Sequence, residues 1–143
     1  MAANPDSIFE TLEFTLNGNS VEALPGETIL QAAQRTGTEI PRLCYSDGLR
    51  ADGNCRACMV EIDGERVLAP SCCRNPTPGM VVNSDNERAQ KSQKLVLELL
   101  LSDMPERAYT LDNELTYWAD KLEVKNPRFK PRHQPQADLS HPA

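Results

Sequence analysis

Along the first quarter of the chain the spacing of hydrophobic positions changes from that of a strand to that of a helix. In "FETLEFTLNG" (9–18) apolar and polar side chains alternate, and the segment ends in Asn17-Gly18. That pattern predicts a strand running into a tight hairpin turn. "NSVEAL" (19–24) supplies the returning strand. Over "PGETILQAAQRTG" (25–37) the period becomes helical, with Ile29, Leu30, Ala32 and Ala33 as the apolar face. Thr28 and Gln31 form a capping-box pattern at its start, and Gly37 supplies the stop.

The periodicity then lapses. Between Cys44 and Cys58 the chain is dominated by turn formers, Ser46, Asp47, Gly48, Asp52, Gly53 and Asn54. Such a segment is suited to wrapping around something rather than joining a ladder. "MVEIDGERVLAPS" (59–71) predicts two short strands about an Asp63-Gly64 turn, and "GMVVNS" (79–84) predicts another. Ser84 and Glu87 repeat the capping-box spacing, predicting a helix over 85–102 with Ala89, Val96, Leu99 and Leu100 near one face and Pro105 as its limit. "LDNELTYWADKLEV" (111–124) reads as a shorter amphipathic helix with Leu115, Trp118, Ala119 and Leu122 on one side. From 125 onward Pro127, Pro131, Pro135 and Pro142 predict an extended tether or strap, ending as a mobile terminus or at the boundary of a further module. No internal repeat is evident.

Composition narrows the classes. The chain has 143 residues, 39% hydrophobic and 25% charged, enough for one ordinary soluble domain with an extension. A net charge of −6 and a pI near 4.9, without any basic run, argue against a nucleic-acid partner. The longest apolar run, "LVLELLL" (95–101), is too short for direct membrane insertion, and "MAANPDSIFE" (1–10) lacks the features of a signal peptide. The expected compartment is the cytoplasm, where structural disulfides rarely persist.

Five cysteines lie within residues 41–73, "PRLCYSDGLRADGNCRACMVEIDGERVLAPSCC". Cys44, Cys55, Cys58 and Cys72 give C-x10-C-x2-C-x13-C, with Cys73 immediately after. Cys55 and Cys58 fit one small loop, while Cys44 and Cys72 must arrive from distant turns. Gly53, Asn54 and Ala57 are small enough to let backbone N–H groups approach sulfur and offset the charge of a thiolate-ligated iron cluster. Neighbours in an extended segment point to opposite sides, so Cys72 is read as the fourth ligand and Cys73 as a small buried hydrophobe. Cys73 stays open as the alternative at that position. Four thiolates also suit structural zinc, which would make the chain a non-redox interaction module. Zinc sites usually bring ligands as two close pairs, whereas one close pair with two lone flanking ligands favours a 2Fe–2S loop. The odd count disfavours a disulfide scaffold, and the polar, glycine-containing setting disfavours cysteines that merely pack.

The stretch "CYSDGLRADGNCRACMVEIDGERVLAPSC" resembles the 2Fe–2S motif at the start of the large iron–sulfur subunit of respiratory complex I, and related modules of NAD-linked hydrogenases and NAD-dependent formate dehydrogenases. "TLNGNSVEALPGETILQAAQRTGTEIPRLCY" looks like the opening of the same group. The resemblance spans about residues 11–104. It implies an α+β, β-grasp 2Fe–2S ferredoxin-like domain over 8–84, followed by a helical extension over 85–124 and a Pro-rich tail or linker over 125–143. By the same analogy Cys44 and Cys55 hold one iron, and Cys58 and Cys72 the other.

In complex I the next segment resembles H-x3-C-x2-C-x5-C and carries a 4Fe–4S cluster. Here Met104, Ala108, Leu111 and Tyr117 stand at those places, so that cluster is not carried over. "LLLSDMPER…NELTYWADKL…PRF…QPQADLSHPA" instead looks like the N-terminal part of the alpha subunit of molybdenum- or tungsten-dependent, NAD-linked formate dehydrogenases. The resemblance implies an electron-transfer module. Its partners would be domains or subunits carrying further iron–sulfur clusters, flavin and a molybdenum or tungsten cofactor. A module of an NAD-linked hydrogenase or complex I-like oxidoreductase is the alternative.

The rest of the sequence offers no catalytic set. His133 and His141 lie in the Pro-rich tail, and no Gly-rich phosphate loop is present. Arg50, Arg56 and Arg74 lie near the cysteines, where they either raise a cluster potential and meet an acidic partner or, as the preferred reading, are solvated surface. Leu43, Tyr45 and Met59 are expected to shield the cluster from water, with no redox role for Tyr45.

Overall fold

The computed structural model describes residues 10–104, 112–125 and 127–130. It is a mixed α+β structure that divides into two compact units, Met1–Val96 and Leu97–Ala143. The expectations for Phe9, Pro105, Ala108, Leu111, His133, His141 and the tail from 131 onward fall outside the described residues.

In the first unit, β1 (Leu12–Leu16) and β2 (Asn19–Ala23) form the predicted hairpin, in register from Leu12 opposite Ala23 to Leu16 opposite Asn19. Asn17 and Gly18 both take positive φ, 51° and 81°, as a two-residue turn matched to strand twist requires. The Asn17 side chain then ties this tip to the end of β5 (Val81–Asn83). Its Oδ1 accepts from the Ser84 N–H at 2.8 Å, and its Nδ2 donates to Ser84 Oγ at 2.7 Å.

β3 (Met59–Ile62) and β4 (Ala69–Pro70) complete a five-stranded sheet of order β2-β1-β5-β3-β4. β5 lies parallel to β1 and antiparallel to β3; β4 is antiparallel to β3, with Met59 opposite Pro70 and Val60 opposite Ala69. Proline suits β4, an edge strand where no further ladder needs its missing N–H.

α1 (Ile29–Arg35) carries the predicted capping box, with Thr28 Oγ1 accepting from the Gln31 N–H and Gln31 Oε1 accepting from the Thr28 N–H. Ile29, Leu30, Ala32 and Ala33 are fully enclosed and join Phe14, Leu16, Val60 and Val82 in one core. Cys58, Cys72 and Tyr45 belong to that same core, which brings the cysteine region onto the sheet unit.

α2 (Glu87–Asp103) departs from expectation in two respects. Because the helix begins at Glu87, the capping position is Asn86, whose Oδ1 accepts from the Ala89 N–H at 2.9 Å; Ser84 is occupied with Asn17 instead. The enclosed positions are Ala89, Gln93 and Leu97, one every four residues, whereas Leu99 and Leu100 are exposed. A polar residue at 93 masked the true stripe. Gln93 is 1% exposed and its Nε2 donates to the carbonyls of Met59 (2.9 Å) and Ser84 (3.0 Å), stitching α2 to β3 and to the residue that follows β5. Arg88 adds contacts to Glu61 and to the Arg66 carbonyl.

In the second unit α3 (Glu114–Lys121) is capped by Asn113 and buries Trp118 and Ala119, as its pattern predicts. Glu123, at φ 58°, reverses the chain so that the Val124 N–H reaches the Ala119 carbonyl at 2.8 Å. Arg128 pairs with Glu98 at 3.0 Å within this unit.

Two outcomes follow. Gln93→Leu, which removes a donor from two carbonyls, is expected to lower stability by about 1–3 kcal/mol, read as a lower urea midpoint. The Arg35 hydrogen bond holds the Glu27 carboxyl below its ordinary 4.5, outweighing the opposing effect of burial. A depressed folded-state value means this contribution is present above 4.5 and is lost as pH falls through the folded value. Glu27→Gln is therefore expected to flatten the acid limb of a stability–pH curve and leave the alkaline limb unchanged.

Candidate metal centre

Folding delivers the cysteines from four places. Cys44 follows α1 after the buried Ile40 and Pro41, and Cys55 sits in the turn-rich loop beyond it. Cys58 immediately precedes β3, and Cys72 lies in the turn just after β4. The β3–β4 register sets Met59 opposite Pro70, so the flanking Cys58 and Cys72 are drawn to the same end of that ladder.

The side chains meet in two pairs. Cys44 and Cys55 lie close enough for each thiol to perturb the other, and so do Cys58 and Cys72. Among the described residues no three Cys, His, Asp or Glu side chains surround a single point. A mononuclear tetrahedral site needs four donors about one ion, whereas a binuclear iron centre takes two protein thiolates on each metal.

The pairs differ electrostatically. Burial pushes the Cys44 thiol up, but the N–H groups of Cys55 and Asn54, with the Cys55 thiol, outweigh it and leave it below its ordinary 9.0. For Cys55 burial wins, against the N–H groups of Ala57, Cys44 and Leu43, and its thiol is raised; the Ala57 N–H lies 3.5 Å from its Sγ. Cys72 is raised further, first by burial and then by the sulfurs of Cys58 and Cys73 beside it. Charging such a crowded set costs free energy that a bound cation offsets. Backbone shape supplies the N–H groups. Gly53 (φ 66°) and Arg56 (φ 59°) are both left-handed, and at Arg56, a non-glycine, this costs roughly 1–2 kcal/mol. The reversal at Arg56 turns the Ala57 amide back toward Cys55.

One expectation at this site is overturned. Cys73 is exposed and not a buried hydrophobe, while Cys72 is 1% exposed. The alternation argument presumed an extended strand, but the chain turns here, with the Cys73 and Arg74 N–H groups both donating to the Pro70 carbonyl at 3.1 Å. The turn leaves the Cys72 and Cys73 sulfurs 3.6 Å apart. Gly53 makes room for Cys73: a Cβ there would stand 2.9 Å from its Sγ.

Of the expected shielding residues, Tyr45 is buried and Leu43 and Met59 are half-buried. Arg74 forms a two-pronged ion pair with Glu65. The Arg50 side chain is 92% exposed, 3.8 Å from Asp52, and Arg56 is exposed. Sequence reasoning missed two residues. Gln31, besides completing its capping box, donates to the Tyr45 hydroxyl at 2.9 Å, beside Cys44. Ser71 is fully enclosed between β4 and Cys72, and no sequence pattern marks it.

The chain is 42% identical over 94 residues to the mitochondrial NADH-ubiquinone oxidoreductase 78 kDa subunit of Candida albicans, covering 66% of this chain and 13% of that protein. It is 41% identical over 99 residues to the NADP-reducing hydrogenase subunit HndD of Solidesulfovibrio fructosivorans, covering 66% of this chain and 17% of that protein. This chain therefore spans less than a fifth of either relative. A crystal structure of an NAD+-reducing NiFe-hydrogenase in the H2-reduced state superposes with a TM-score of 0.80 at 31% identity, covering 92% of this chain and 57% of that one. Residues 10–87 match the 2Fe-2S iron-sulfur cluster binding domain, a span that encloses all five cysteines and both thiol pairs, and the chain belongs to that family, whose cofactor is a 2Fe–2S cluster.

Proposed function

We propose that this chain is a one-electron carrier in which Cys44 and Cys55 hold one iron of a 2Fe–2S cluster and Cys58 and Cys72 the other. The observation that carries the reading is the meeting of the four thiols as two pairs inside the family span. The cluster, when bound, accepts and releases a single electron. The protein's part is to hold four thiolates, direct the amides of Asn54, Cys55 and Ala57 at sulfur, and keep water off with Tyr45, Leu43 and Met59.

The relatives are subunits of NADH-ubiquinone oxidoreductase and of an NADP-reducing hydrogenase, which supports a module of a larger NAD(P)-linked oxidoreductase. Within that class we favour a formate dehydrogenase whose other domains or subunits carry further iron–sulfur clusters, flavin and molybdenum or tungsten. Support comes from the segment after α2, where Met104, Ala108, Leu111 and Tyr117 replace the His and Cys of the complex I pattern, and from its likeness to formate dehydrogenase alpha subunits. No helix among the described residues is long and apolar enough to cross a membrane. The cytoplasm is the proposed location, in keeping with five free thiols.

A chain purified anaerobically is expected to be red-brown, to contain two irons and two inorganic sulfides, and to give a rhombic paramagnetic signal on one-electron reduction. A colourless chain with one zinc would sink the redox reading. Cys58→Ser is expected to abolish the parent spectrum and Cys73→Ser to leave it intact; loss in the Cys73 variant would move the fourth ligand. In the complete enzyme, formate should reduce this cluster without hydrogen or NADH. Reduction by hydrogen but not formate would assign the chain to a hydrogenase.

A further inference from the structure

Ser71 has 0% exposure, and the other described residues enclosed to that degree are all apolar. Two of its three polar groups bond to Cys58 and the third to α1. The amide N–H donates to the Cys58 carbonyl at 3.2 Å, and the hydroxyl donates to that same carbonyl at 2.7 Å. Its own carbonyl accepts from the Leu30 N–H at 3.0 Å, near the start of α1. The next residue in the chain is Cys72. Ser71 therefore links the backbone of Cys58, the backbone of Cys72 and the first turn of a helix whose own N–H groups need acceptors.

We propose that Ser71 is a positioning residue for the cluster, whose hydroxyl fixes the separation of the Cys58 and Cys72 thiolates. The inference rests on the ligand reading above. The amide contact lies at the long limit of a peptide hydrogen bond, so the short hydroxyl bond carries most of the restraint. Reduction adds negative charge to the cluster and increases repulsion among its thiolates. A pair free to open releases iron sooner and presents it with a different geometry.

The test uses the full chain with Ser71→Ala, Ser71→Thr and, as a remote core control, Val82→Ala. The readouts are the g values of the reduced cluster and the rate of absorbance loss under an iron(II) chelator. Ser71→Ala is expected to shift the g values and lose iron roughly fivefold faster, the scale of one buried hydrogen bond. Ser71→Thr, which retains the hydroxyl, is expected to keep the parent signal. Val82→Ala is expected to lower the urea midpoint without moving the g values. Parent-like behaviour of Ser71→Ala overturns the proposal; so does a Ser71→Thr chain as impaired as Ser71→Ala, an unfolded Ser71→Ala chain, or an equal spectral shift in Val82→Ala. A parent-like spectrum for Cys58→Ser or Cys72→Ser instead defeats the ligand reading. Cluster loss in both, beside a parent-like Ser71→Ala, defeats the role of Ser71 alone.

Discussion

On the proposed ligand assignment, sulfur atoms that must carry negative charge stand side by side against an apolar core, and most features of the first unit answer to that constraint. Cys58 and Cys72 are each 1% exposed and share a cluster with Phe14, Leu16, Val60 and Val82. Burial alone favours the neutral thiol, and two adjacent thiolates repel in surroundings that screen poorly. As thiolates, such a set needs compensating positive charge, from oriented amides and from a bound metal. The irregular loop between Cys44 and Cys58 supplies amides, because a regular strand or helix would spend its N–H groups on its own ladder.

Helix α1 is the element through which the dispersed cysteines are held together. It is only seven residues long, and much of its polar capacity lies in its first turn. The N–H groups of Ile29 and Leu30 donate to the carbonyls of Arg74 and Ser71, fixing the turn that carries Cys72 and Cys73. Gln31, one residue further, reaches Tyr45 beside Cys44. The apolar face of the helix meanwhile packs into the sheet core through Ile29, Leu30, Ala32 and Ala33. Orphan donors at a helix start, ordinarily a cost, here fasten loops distant in sequence.

What the sequence made legible was local. Alternation and Asn17-Gly18 located the hairpin, the Thr28 and Gln31 spacing located α1, and Asp63-Gly64 located the β3–β4 turn. Cysteine spacing singled out Cys44, Cys55, Cys58 and Cys72, and the fold sets Cys44 near Cys55 and Cys72 near both Cys58 and Cys73. The misses were tertiary. Gln93 is buried because two backbone carbonyls await it, which no periodicity scan weighs against its polarity. Cys73 is exposed because the chain turns after Pro70 where a strand was presumed. Ser71 carries no motif at all; its importance lies in Cys58, thirteen residues away.

The two thiol pairs are unequal, and the inequality follows from their supports. Cys44 and Cys55 lie on loop backbone, Cys44 exposed, with the amides of Asn54, Cys55 and Ala57 directed at them. Cys58 and Cys72 flank a β ladder, enclosed, with Ser71 closing the space between their backbones. A loop can bend N–H groups toward sulfur but is reached by water; a ladder excludes water but has few N–H groups to lend. On the proposed ligand assignment the cluster joins these two environments. The Cys44 ligand then sits on exposed loop backbone, and the Cys72 ligand follows the residue that α1 holds through the Leu30 N–H. That division of labour explains why a domain with so small a core commits a helix cap, a strand register and two left-handed residues to four side chains.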